Sequence, residues 1–189
     1  MRIYLLSILA IISFQLKAQS HDLNVNLGAG FIPKLETTSG YYLFDLSPLS
    51  RIGYTYTFSS SRTYQFSLGG YLGFQNIRSQ YTRLSDGSSI DYVNPLYEIG
   101  FSPSIGLKLF ENRRLSSISG VKIYFGGISN NFEAPILFAI RPHVYSTLFF
   151  GRNGAKKNGL SLELGLNYIF QTLLKNQYTL SLGYIRRLG

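Results

Sequence analysis

From Leu23 to the C-terminus, apolar and polar residues alternate with a period of two in one segment after another. Leu23, Val25, Leu27, Ala29 and Phe31 alternate with Asn24, Asn26, Gly28 and Gly30. Ile52, Tyr54, Tyr56 and Phe58 alternate with Arg51, Gly53, Thr55 and Thr57. Tyr97, Ile99, Phe101, Ile105, Leu107 and Leu109 oppose Glu98, Gly100, Ser102, Ser104, Gly106 and Lys108. The run from Leu160 to Phe170 opposes Ser161, Glu163, Gly165 and Asn167, and the segments around 64–74, 121–126, 138–150 and 178–187 behave alike. A repeat of two places successive side chains on opposite faces of a strand, and helices do not produce it. Eight strands are therefore predicted.

Strand length narrows the class. Several segments run for about 9–13 residues, whereas globular strands are usually about 5–6 and a tilted bilayer-crossing strand needs about 9–11. The polar face is mostly Gly, Ser, Thr and Asn with single charges inserted. A soluble sandwich would show water a face richer in Lys and Glu. Only 14% of the 189 residues are charged, against roughly 25% in ordinary soluble domains. An apolar face turned to lipid and a small, polar face turned inward fit a membrane-spanning barrel, since unpaired backbone groups are not tolerated in lipid. The prediction is an all-β fold: a closed, eight-stranded, antiparallel transmembrane β-barrel with an up-and-down meander. A soluble lipocalin-like barrel is the alternative.

The N-terminus reads as a targeting segment. Arg2, the mostly apolar stretch Tyr4–Phe14 and Ala18 before Gln19 follow the order of a secretory signal peptide over residues 1–18, cleaved near 18–20. Residues 21–189 then form one domain. Connections 32–48, 76–94, 127–137 and 171–177 are expected to face outward, with short turns at 59–62, 111–116 and 151–158 on the periplasmic side together with both termini. Arg62, Arg113, Arg114, Arg152, Lys156, Lys157, Arg186 and Arg187 gather on that short-turn side. The absence of cysteine excludes disulfides and thiolate metal sites.

The Ala18-Gln19 signal end, the eight amphipathic segments and the Gly and Tyr usage resemble the small outer-membrane β-barrel proteins of Bacteroidetes-type bacteria, the broad outer membrane protein beta-barrel domain group that includes PorT-like proteins. The closing run Ser181–Gly189 resembles the last-strand signal read by barrel-assembly machinery, without its terminal aromatic. The resemblance implies an outer-membrane location, contact with membrane lipids and passage through that machinery. The residues themselves, with two histidines and no cysteine, point to no cofactor and no metal.

Inward charges are expected at Arg51, Glu98, Lys108, Lys122, Arg141 and Glu163, with His143 beside them and Arg187 at the frayed end. An eight-stranded interior holds little more than side chains, and unpaired charges there are strongly disfavoured. A network of ion pairs filling the interior is therefore predicted, with function carried by outer loops that meet a protein or surface ligand. A narrow pore for small solutes is the transport alternative. An acyl-lipid hydrolase is the enzymatic one, because His143 and Glu163 fall on adjacent predicted strands. It lacks a nucleophile by spacing: Ser146 faces away from His143, and Tyr145 occupies the position on its face. The Asp86–Asp91 run lacks a calcium-loop spacing, no phosphate-binding glycine loop occurs, and the scattered positive charge gives no nucleic-acid stripe.

Overall fold

The computed structural model describes residues 20–60, 63–129, 137–151, 156–169 and 177–188. The expected signal segment lies outside these residues, as do Arg62, Arg152 and the parts of the expected outer loops at 130–136 and 170–176. Ten strands are present: β1 (Ser20–Phe31), β2 (Leu35–Glu36), β3 (Gly40–Phe44), β4 (Ser47–Ser60), β5 (Tyr64–Arg83), β6 (Ser89–Glu111), β7 (Leu115–Ser129), β8 (Leu137–Phe150), β9 (Asn158–Ile169) and β10 (Gln177–Arg187). Every pairing is antiparallel. The order is β2-β3-β5-β4-β1-β10-β9-β8-β7-β6, and β5 also pairs with β6.

This corrects the expected closed eight-stranded meander: the sheet has ten strands. Eight hydrogen-bond in a ring, and β3 with β2 branches from β5. The stretch 32–48, expected as a loop, contains β2 and β3. The stretch 76–94, also expected as a loop, is mostly strand, with only residues 84–88 between β5 and β6. Over Ser89–Asn94 both faces are exposed, so there is no apolar row and the alternation that reveals a half-buried strand disappears. Gly40–Phe44 of β3 pairs with Arg83–Ser79 of β5, beyond the point where β4 pairing ends at Leu49 opposite Gln75.

The two faces divide as the alternation requires. Leu27, Ile52, Leu72, Ile99, Val144, Leu162, Leu164 and Leu182 are exposed on the outer face of the ring. Arg51, Glu98, Arg141, His143, Glu163, Asn167 and Thr179 are buried on the inner face. Two prolines interrupt ladders because they lack an N–H. The β6–β7 register passes from Phe101 opposite Phe125 to Ser104 opposite Lys122, skipping Pro103. The β8–β9 register passes from Ile140 opposite Tyr168 to His143 opposite Gly165, skipping Pro142.

The inner face is layered. Toward the long-loop end lies an apolar cluster of Ile32, Ile77, Leu96, Ile128 and Ala139, with Phe44 and Leu137 against it. The amides of Gln75, Asn167 and Gln177 follow, where Asn167 Nδ2 donates to Gln177 Oε1 at 2.5 Å. The charged residues come next, and Ser, Thr and Asn side chains continue toward the short-turn end.

Candidate functional site

Register brings the inward charges into two groups. Glu98 on β6 accepts from Arg51 Nε on β4 at 3.0 Å, and Arg141 Nη1 on β8 lies 2.5 Å from the other Glu98 oxygen. All three side chains are essentially inaccessible to solvent. In the second group Lys122 Nζ on β7 donates to Glu163 Oε1 on β9 at 2.6 Å, and Tyr124 Oη donates to Glu163 Oε2 at 2.8 Å. Strands β7 and β9 are not neighbours, so these contacts cross the inner face.

Two tyrosines join the groups. Arg141 Nη2 donates to Tyr71 Oη at 3.1 Å, and the Tyr71 and Tyr124 rings meet edge-on at 4.9 Å. The Arg51 guanidinium lies 4.8 Å from the Tyr124 ring centroid, within cation–π range. Three cations thus face two carboxylates, with aromatic faces softening the excess positive charge.

Two glycines make room for this. A Cβ on Gly73 would meet Glu98 Oε2 at 2.7 Å and Arg51 Cγ at 3.1 Å. A Cβ on Gly165 would occupy the His143 imidazole.

His143 joins the second group loosely. Its Nδ1 is 3.7 Å from Glu163 Oε2, and its Nε2 is 3.5 Å from Thr179 Oγ1. The carboxylate–imidazole–hydroxyl order matches a nucleophilic triad in kind, but a working base needs about 2.6–3.2 Å to its nucleophile. The imidazole is buried, its ring meets Tyr124 edge-on at 4.9 Å, and its 3.5 Å separation from Thr179 is longer than a working base needs.

Lys108 belongs to neither group. It lies at the short-turn mouth beside Glu111, Lys156 and Arg187. Arg187 pairs there with Asp22, Nε to Oδ1 at 3.0 Å, and its guanidinium covers the Phe149 ring at 4.3 Å.

Sequence reasoning missed Asp22, Tyr71, Gln75 and Gln177. Each continues the inward parity of its strand: Asp22 precedes Asn24, and Tyr71 and Gln75 flank Gly73. It also missed the apolar layer, although Ile77 follows Gln75 on the same parity. Among the described residues no cluster of three or more His, Asp or Glu side chains forms a metal site.

No protein-family model matches the chain, and no curated protein matches its sequence. Solved structures match its shape. The outer membrane protein OprG from Pseudomonas aeruginosa aligns with a TM-score of 0.53 at 6% identity, covering 92% of this chain and 98% of that one. Neisserial surface protein A aligns at 0.49 and 11% identity, covering 89% and 97%. The outer membrane enzyme PagL aligns at 0.48 and 14% identity, covering 88% and 99%. The OprG alignment carries the conclusion about fold: the chain has the β-barrel type of architecture found in outer-membrane proteins.

Proposed function

We propose that this chain spans a Gram-negative-type outer membrane, is filled by its own side chains, and acts by surface interaction at its long-loop end. The resemblance to the Bacteroidetes-type group belongs to this reading, as do the membrane lipids around the apolar face and the barrel-assembly machinery during insertion. Both described chain ends, Ser20 and Leu188, lie at the short-turn end, which this reading places in the periplasm.

One observation carries the interaction role. Strands β5 and β6 continue past the ring as a hairpin, and from Ser89 to Leu96 β6 has β5 as its sole strand partner among the described residues. Its other edge presents a row of backbone donors and acceptors, with Ile90, Tyr92 and Val93 exposed. Such an edge pairs readily with an extended segment of a partner.

Support for a filled interior comes from the apolar layer, the crossing ion pairs and the space left between them. Between Lys122, Tyr145, Thr147 and Asn24 the cavity is about 40 Å³, room for little more than one water at about 30 Å³.

The test combines fractionation with electrophysiology. The protein should need detergent for extraction, run faster on a gel before boiling than after, and give no steady current in a planar bilayer. Recovery in the soluble periplasmic fraction would overturn the location, and steady ohmic conductance would overturn the filled interior.

A further inference from the structure

The two ends of the sheet differ sharply in charge. Among the described residues the short-turn end carries seven cations, Lys108, Arg113, Arg114, Lys156, Lys157, Arg186 and Arg187, against the carboxylates of Asp22 and Glu111. The long-loop end carries Lys34, Arg78 and Arg83 against Glu36, Asp45, Asp86 and Asp91. Three of the seven at the short-turn end, Lys108, Lys156 and Arg187, line a polar pocket of about 160 Å³ in its mouth.

The pocket is organised by two ion pairs and one surplus cation. Lys156 Nζ donates to Glu111 Oε1 at 2.7 Å, with the lysine side chain only 10% exposed. Arg187 uses Nε and Nη2 on Asp22, leaving Nη1 with no hydrogen bond among the described residues. The Lys108 ammonium, on a half-buried side chain, makes neither a hydrogen bond nor an ion pair among them. The Gln65 amide, which donates to Thr57 and Ser67, and the Ser116 hydroxyl complete the polar wall. The Glu111 carboxylate shares this wall and is bonded to Lys156, while the Lys108 ammonium and one Arg187 N–H keep unused donors that a compact oxyanion would satisfy together. Beyond the pocket the interior narrows to the 40 Å³ space, so an anion that enters the mouth stops there.

We propose that this mouth is a binding site for a phosphate-class oxyanion, held by Lys108, Arg187 and Lys156 with Ser116 and Gln65 completing its shell. The same chemistry is offered by free phosphate and by the headgroup of an anionic lipid in the adjoining leaflet. The lipid source alone rests on the membrane reading.

The full mature chain, folded in a non-ionic detergent that carries no phosphate, is titrated calorimetrically with inorganic phosphate and separately with short-chain phosphatidylglycerol. One saturable site per chain is expected for at least one of the two, weakened tenfold or more by Lys108→Gln and unchanged by Lys34→Gln at the opposite end. Ser116→Asp, which adds a carboxylate to the pocket, should give the same loss, and gel mobility before and after boiling confirms that each variant is folded. Binding of phosphate identifies a soluble anion as ligand, and binding of the lipid alone identifies a headgroup; both support the site. Absence of saturable binding by either probe, or equal effects of Lys108→Gln and Lys34→Gln, overturns it.

Discussion

Lys122 Nζ lies 2.6 Å from Glu163 Oε1 although the two residues belong to β7 and β9, strands separated by β8. The pair therefore bridges over β8 on the inner face, and neither charge is well solvated. Removing one partner leaves the other buried without compensation, which costs about 3–5 kcal/mol. Glu163→Gln should lower the unfolding free energy by that amount, read as a lower denaturant midpoint at unchanged slope. Lys122→Met combined with Glu163→Gln should recover most of the loss, because a buried pair replaced as a unit is often near neutral. An additive double variant would contradict the pairing.

Gly73 and Gly70 sit three residues apart on opposite faces of β5 and should respond oppositely. A Cβ at Gly73 strikes the Arg51–Glu98 pair, whereas a Cβ at Gly70 approaches nothing nearer than the Gly100 carbonyl at 4.0 Å. Gly73→Ala is expected to destabilise by about 1–3 kcal/mol through overpacking. Gly70→Ala should be tolerated. Equal unfolding midpoints for the two variants would refute the packing of that pair.

Inward parity was legible in the sequence; the extent of the sheet was not. Arg51, Glu98, Lys122, Arg141 and Glu163 stand opposite apolar rows, so a period of two assigns each to the inner face. Which acid meets which base depends on strand stagger, and no local pattern encodes that: Glu98 collects two arginines from β4 and β8, while Lys108 is left at the mouth. Tyr71 and Tyr124 show a second limit. An aromatic residue is as much at home against lipid as over an arginine, so its role emerges only when Arg141 and Arg51 are seen beside it. Residues Ser89–Asn94 escaped because both of their faces are wet, which erases the contrast that marks a half-buried strand.

The turn between β5 and β6 gives a pH signature at the long-loop end. The Ser88 hydroxyl and backbone N–H both donate to Asp86 Oδ1, at 2.7 and 3.0 Å, and Arg83 lies 3.3 Å from Oδ2. These contacts, the Ser88 hydroxyl foremost, hold the Asp86 carboxyl below its ordinary value of 3.8. A carboxyl depressed by folding stabilises the turn above its unfolded pKa and loses that contribution as pH falls through the folded one. NMR titration of the Asp86 side chain should show the low midpoint, and Ser88→Ala should move it up. A midpoint indifferent to Ser88→Ala would remove this account of the turn.

The free edge of β6 should be visible in hydrogen exchange. Between Ser89 and Leu96, amides directed at β5 are bonded and those directed away have no strand partner among the described residues, so protection should alternate along the segment. Uniform protection of all its N–H groups in the isolated protein would mean that the edge is already covered.

The account rests on which face meets acyl chains, and the natural absence of cysteine makes a single-label scan direct. Spin labels placed one at a time from Leu160 to Leu166 in protein reconstituted into lipid vesicles report contact with oxygen dissolved in the acyl region. High oxygen accessibility at Leu160, Leu162, Leu164 and Leu166, alternating with low values at Ser161, Glu163 and Gly165, is the predicted result. The opposite phase, or a profile without alternation, would contradict it.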